Sequence, residues 1–259
     1  MIIDLPKFLS AKYNLSVRQA KKMLKDGYVY YKDSPYFYKK IDEKGVDNIY
    51  INKTMHELTY NPEQYVIQKN ENVIFLYKPP FMHTERLTPF DQLTIDDVVK
   101  SHYPEYALIS RLDFETDGII AAVKKNVTFQ STKQYLAFVA GKITAPMEIS
   151  NKIDAENRKK VKVINKQTGY KTYITPLRTN IYKGTPVTLI EIKLAKATRH
   201  QIRAYCSYLG YPIIGDNIYG NYPYKRLMLH CKTNHIFFSQ QKEIICHSPN
   251  WENFISSFK

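Results

Sequence analysis

The chain has 259 residues, with 38 Lys and Arg against 24 Asp and Glu, for a net charge of +14. At 44% hydrophobic residues it can bury a core of its own, which excludes a disordered tail. No stretch approaches 18 uncharged apolar residues, which excludes a helical membrane span. Asp4 and Lys7 interrupt the apolar run that a signal peptide needs, so export is not expected and a cytosolic protein is. Cys206, Cys231 and Cys246 are odd in number and far apart, which argues against a disulfide scaffold or a zinc site. The basic excess favours a polyanionic partner, most simply nucleic acid. The 22 tyrosines fit base stacking and compositional bias equally and carry no weight.

In chain order, Asp4 is a cap for a first helix with Leu5, Phe8 and Leu9 on one face. Ser16 and Gln19 have capping-box spacing for a second helix. Val17, Ala20 and Leu24 mark its apolar stripe, and Arg18, Lys21, Lys22 and Lys25 its basic face. Gly27 stops it. Residues 28–32 and 48–51 read as strands, with turn chemistry between them at Asp33, Ser34 and Pro35 and at Lys44 and Gly45. Two helices, one of them basic on one side, followed by short strands, resemble an S4-type RNA-binding domain. Ser16, Arg18, Ala20, Leu24, Gly27 and Val29 carry the resemblance; the usual Val-Asn-Gly turn is replaced by Tyr31, Lys32 and Asp33. It implies a basic helix laid along RNA phosphates, which adds affinity without sequence choice.

A linker is expected over residues 55–68, punctuated by Asn61 and Pro62. Domains are therefore expected at 1–54 and 69–259. Residues 73–77 read as a strand that must stop at Pro79. A short helix is expected over 94–99, and strands over 107–109, 119–123, 135–139, 172–176 and 187–194. Few helices among many short strands predict an α+β fold with a mixed, mostly antiparallel sheet.

Ser110 to Gly118 reads SRLDFETDG, followed by Lys133, Tyr135 and Ala137, then Arg199-His200-Gln201-Ile202-Arg203, Pro212-Ile213-Ile214-Gly215-Asp216, and Arg226-Leu227-Met228-Leu229-His230. In this order these segments resemble the RluA-type family of pseudouridine synthases. The resemblance implies an isomerase that converts uridine in RNA to pseudouridine without metal or organic cofactor. It assigns Asp113 as the catalytic carboxylate, Tyr135 as the residue stacking on the target base and a candidate to move the C5 proton, and Arg203 as the partner of the aspartate. Departures from the family pattern stand at Ser110, Asp117, Thr198 and Phe81, and the span from Lys125 to Tyr135 is short.

The same residues can be read physically. Breaking a glycosidic bond and rejoining the base by carbon, with the carboxylate acting as nucleophile or through a glycal, needs an ionised Asp shielded from water. Burial raises a carboxyl pKa, and a nearby Arg lowers it; Arg suits because its fork grips a carboxylate bidentately. Thr198 and Gln201 have capping-box spacing. Ile202, Tyr205, Cys206 and Leu209 form a buried stripe, ended by Gly210 and Pro212. Arg199 and Arg203 fall on one helical flank, which offers one for the aspartate and one for a phosphate. Arg111 is a further RNA contact, and Lys78 is either a phosphate contact or a strand-end charge. His200 reads as structural, and Gly215-Asp216 as a tight turn.

Two alternatives stay open. The departures also fit an inactive RNA-binding relative serving as a chaperone or assembly factor. Asp113 and Glu115, roughly 6.6–7 Å apart between α-carbons on extended chain, also fit a glycosidase pair, which explains neither the charge nor the S4-like segment. The expected partner is RNA, ribosomal in preference to transfer RNA, with a monomeric protein.

Overall fold

The computed structural model describes residues 2–25, 28–32, 34–36, 38–51, 61–87, 93–156, 160–239 and 243–258. Gly27, Asp33, the Lys25 side chain and residues 55–60 of the expected linker lie outside the described residues, while its remainder carries a 3-10 turn and the start of a strand. The chain divides into two compact units, residues 1–61 with 86–94, and residues 62–85 with 95–259.

The first unit runs β1 (Ile2–Asp4), α1 (Leu5–Tyr13), α2 (Val17–Lys25), β2 (Val29–Tyr31), β3 (Ser34–Pro35), β4 (Lys40–Asp42), a 3-10 turn (Glu43–Asn48) and β5 (Ile49–Ile51). Asp4 caps α1 by accepting from Lys7 N–H at 3.1 Å. The α2 box forms as the spacing predicts: Ser16 N–H donates to Gln19 Oε1 at 2.8 Å, and Gln19 N–H to Ser16 Oγ at 3.2 Å. Leu5 and Leu9 of α1 pack with Ala20, Met23 and Leu24 of α2 against Val29, Ile49 and Ile51. Val17 differs from its expected role and is exposed, because Met23 fills the stripe instead. Arg18 and Lys21 are exposed and Lys22 is half-buried.

The second unit opens with a 3-10 turn (Pro62–Tyr65) and β6 (Val66–Lys69), then β7 (Val73–Lys78), α3 (Ile95–His102), β8 (Tyr106–Leu108), β9 (Asp117–Lys124) and β10 (Phe129–Ala140). It continues with β11 (Met147–Asp154), β12 (Lys162–Tyr182), β13 (Thr185–Leu194), α4 (Gln201–Tyr208), β14 (Leu229–Phe238), β15 (Glu243–His247) and α5 (Trp251–Ser256). One ten-stranded sheet runs β11-β12-β13-β10-β14-β9-β7-β6, with β15 added on β14 and β8 on β9. Among the described strands β14 and β9 pair in parallel and their other pairings are antiparallel, so the sheet is mixed and mostly antiparallel. β7 ends at Lys78, before Pro79.

The parallel contact positions the site. Its register sets His230 opposite Asp117 and Cys231 opposite Gly118. Gly118 is required there: its φ is +119°, and a Cβ would stand 2.3 Å from the Cys231 carbonyl oxygen. On the other side of β14, Cys231 faces Tyr135 of β10. Thus the segment before β9, the middle of β10 and the start of β14 converge. α4 closes over them, packing Ile202, Tyr205 and Cys206 into the core with Tyr135 and Phe138.

Candidate active site

Asp113 lies in the connection between β8 and β9, in a turn closed by Thr116 N–H to Asp113 O at 3.1 Å. The preceding residue is pinned. Thr84 Oγ1 accepts from Leu112 N–H at 3.1 Å and donates to Leu112 O at 2.8 Å. The Asp113 carboxylate is therefore held by its own backbone at a cavity lined by Arg111, Thr116, Tyr135, Thr198 and Arg203, and it keeps 22% of its side chain exposed.

Arg203, in the first turn of α4, meets three carboxylates. Nε and Nη2 fork onto Asp216, both at 2.8 Å. Nη1 donates to Asp113 at 3.2 Å and Nη2 to Glu115 at 3.2 Å. Burial works against the guanidinium charge, but Asp216 and Asp113 outweigh it and raise its pKa. Asp216 is fully buried and also accepts N–H groups of Ile218 and Tyr219 at 2.9 and 3.0 Å. Burial alone would lift its pKa; Arg203 and those N–H groups bring it below the ordinary carboxylate value. Asp216 is thus more than a turn former, which corrects the sequence reading: it is the strongest anchor of Arg203. The tight turn is real as well, because Gly215 has φ +78° and a Cβ there would meet the Arg226 carbonyl oxygen at 1.9 Å.

Tyr135 is buried and lines the cavity. Burial, then Cys231 and Asp113, push its phenol well above the ordinary value, which favours the neutral phenol. His200 places Nε2 3.9 Å from Asp113, and its Nδ1 lies 3.1 Å from the Tyr219 hydroxyl. Burial lowers its pKa, so the ring beside Asp113 tends to neutrality.

Three expected contacts change. Lys78 is fully buried and donates to the carbonyls of Pro79 and Met82 at 2.8 Å and Phe114 at 3.3 Å. A phosphate cannot reach it; burial brings its pKa down to about 7. Arg199 precedes α4, whose N-cap is His200, so it does not share a helical flank with the buried Arg203; it is exposed and donates to Ala155 O at 3.3 Å. The Thr198–Gln201 box forms only half: Gln201 Oε1 accepts from Thr198 N–H at 3.0 Å, while Gln201 N–H turns to Thr198 O at 3.2 Å. Arg111 is exposed at the cavity and pairs with Glu85 at 3.3 Å. Asp113 and Glu115 both turn to one guanidinium, which does not suit an acid–base pair on opposite sides of a sugar.

Asp117 belongs to a separate buried network. Arg226 grips it with both terminal nitrogens, and Tyr77 donates to it at 3.1 Å. His230 Nδ1 stands 3.1 Å from an Asp117 oxygen. Burial raises the Asp117 pKa; His230 and Arg226 outweigh it and hold the group at about 2. Among the described residues, no group of three or more His, Cys, Asp or Glu is placed to hold a metal ion, and no helix is long and apolar enough to cross a membrane.

Known proteins resemble this chain in sequence and in fold. Residues 72–208 match the family model described as RNA pseudouridylate synthase. An uncharacterized RNA pseudouridine synthase of Helicobacter pylori is 35% identical over 180 residues, covering 64% of this chain and 68% of that protein. The ribosomal large subunit pseudouridine synthase C of Rickettsia bellii is 30% identical over 220 residues, covering 75% of this chain and 69% of that one. The solved structure of human RNA pseudouridylate synthase domain containing 1 superimposes with a TM-score of 0.59 at 20% identity, covering 74% of this chain and 85% of that one, a likeness of fold. The chain belongs to the RNA pseudouridylate synthase family.

Proposed function

We propose that this chain converts specific uridines of structured RNA to pseudouridine with Asp113 as the catalytic carboxylate, ribosomal RNA being its substrate. One observation carries the reading: the partly exposed Asp113 carboxylate sits at a cavity, 3.2 Å from a guanidinium that is itself locked by buried Asp216. The reaction breaks C1′–N1, turns the uracil, joins C1′ to C5, and moves the C5 proton so that N1 ends protonated. Asp113 serves as nucleophile at C1′ or removes a ribose proton on the way to a glycal; either role needs a carboxylate held in place, and Arg203 holds it by a hydrogen bond of 3.2 Å. Tyr135, a neutral phenol, packs against the flipped base. Flipping costs a few kcal/mol, offset by such packing and by phosphate contacts.

Arg111 and Arg199, both exposed, supply phosphate contacts in this reading. The first unit acts as an S4-like RNA-binding domain, with Arg18, Lys21, Lys22 and Lys25 along the phosphates. The protein works as a cytosolic monomer. Ribosomal RNA is favoured over transfer RNA because the Rickettsia relative is named for the large ribosomal subunit. The test is pseudouridine mapping of total RNA with and without the gene. Loss of one or a few ribosomal sites is expected. Loss in transfer RNA alone corrects the substrate, and no loss anywhere with the protein expressed favours an inactive RNA-binding relative.

A further inference from the structure

The turn that carries Asp113 also carries an exposed aromatic ring. Phe114, at a corner of that turn, is 41% exposed. Its ring lies 4.5 Å from the His83 ring and 5.9 Å from Phe81, between centroids. Phe81 is 51% exposed. Three rings from two loops therefore stand together, one of them on the residue that follows Asp113 in its turn.

Holding them there is unfavourable in two ways. Phe81 has φ +64°, the left-handed region that bulky residues avoid. Lys78 is buried whole, with its ammonium joining the two loops through the carbonyls of Pro79, Met82 and Phe114. A further bond, Phe81 N–H to Phe114 O at 2.7 Å, closes the same joint. Rings left in water return little to folding. A strained backbone and a buried lysine that keep two phenylalanines in water, on the turn that carries Asp113 and on the loop bonded to it, point to a ligand with flat apolar faces. The net charge of +14 and the exposed Arg111 at the cavity select one with an anionic backbone. RNA has both features, and extruding one nucleotide leaves its neighbour without a stacking partner.

We propose that Phe114, supported by Phe81 and His83, is a stacking platform for the nucleobase next to the one that enters the Asp113 cavity. The proposal rests on the reading of Asp113 above, and adds a subsite to it. The platform is sequence-tolerant, since every base offers a π face.

The test uses the full chain and a hairpin oligoribonucleotide whose loop uridine is flanked by 2-aminopurine, at fixed salt. Wild type is expected to quench the 2-aminopurine emission. Phe114→Ala is expected to leave it unquenched and to weaken binding about 5- to 150-fold, while Phe114→Trp keeps both. Phe81→Gly removes a ring and relieves the left-handed backbone, so its Tm is expected to hold or rise by about 2–4 °C while binding falls. A purely structural ring gives the reverse: a lower Tm and intact binding. No quenching by wild type, or Phe114→Ala binding within twofold, overturns the platform. The two readings fail separately. Asp113→Asn is expected to keep the quenching and form no product. Phe114-dependent quenching by a chain that makes no pseudouridine in any mapped RNA overturns the enzymatic reading and leaves the platform standing.

Discussion

Arg203 has one positive charge and three carboxylates to share it with. Its fork settles on buried Asp216, and what remains of its donors orients Asp113 and Glu115. Arg203→Lys removes the fork, because an ammonium cannot hold Asp216 by two parallel bonds and still reach Asp113. Product formation is expected to fall more than about a hundredfold, and stability by about 3 kcal/mol, the scale for breaking a buried pair. Urea unfolding and a single-turnover assay measure the two; a variant with wild-type values in both removes Arg203 from the site. Asp113→Asn is nearly isosteric and is expected to abolish product, by at least about a thousandfold, with RNA binding within a few-fold. Full activity in that variant would sink the assignment. Asp113, Tyr135 and Arg203 were legible as residues lining one cavity because each sits in a local motif. Asp216 was not: an aspartate after glycine carries turn chemistry, and its bond to Arg203 crosses a turn and a helix. Lys78 at a strand end reads as exposed, since only the folded loops bring three carbonyls onto it.

At the scale of elements, strands with one continuous apolar run were legible, and strands carrying function were less so. β7 and β13 stand where Val73 to Tyr77 and Val187 to Leu194 place them. β14 mixes His230, Lys232, Thr233 and Asn234 into its middle and shows no usable period, yet the site is built on it. The reason is the parallel β9–β14 joint, which seats Asp117 against His230 and Arg226 and so makes polar residues core residues. This joint has a pH signature. The Asp117 carboxyl titrates at about 2 in the fold against 3.8 ordinarily. A depressed carboxyl stabilises the fold above its unfolded value and loses that contribution as pH falls through the folded one. The full contribution is about 2 kcal/mol, and about half is gone by pH 3. Asp117→Asn lacks it, so the variant is expected to be less stable at pH 6, with the gap narrowing toward pH 3. Urea midpoints of both proteins across that range decide the matter. Curves that stay parallel mean that the Asp117 charge does not hold the joint.

For the whole molecule, the decisive quantity is the charge. A net +14 on 259 residues points to a polyanion ahead of any motif, but it does not say which face meets it. The folded first unit narrows this, because Ala20, Met23 and Leu24 are spent on its core while Arg18 and Lys21 are left in solvent. Side chains of this kind act through phosphates: they release counterions, carry no sequence information, and leave chemistry untouched. Arg18→Glu with Lys21→Glu is therefore expected to weaken binding of different RNAs by a similar factor. The slope of log affinity against log salt is expected to become shallower by about one to two, near 0.7–0.9 for each phosphate no longer neutralised. Turnover at saturating RNA is expected to stay near wild type. Affinity and salt slope both unchanged would remove α2 from the RNA-binding surface. A weakening confined to one RNA sequence instead makes these side chains readers of bases, since a missing phosphate partner weakens all sequences alike.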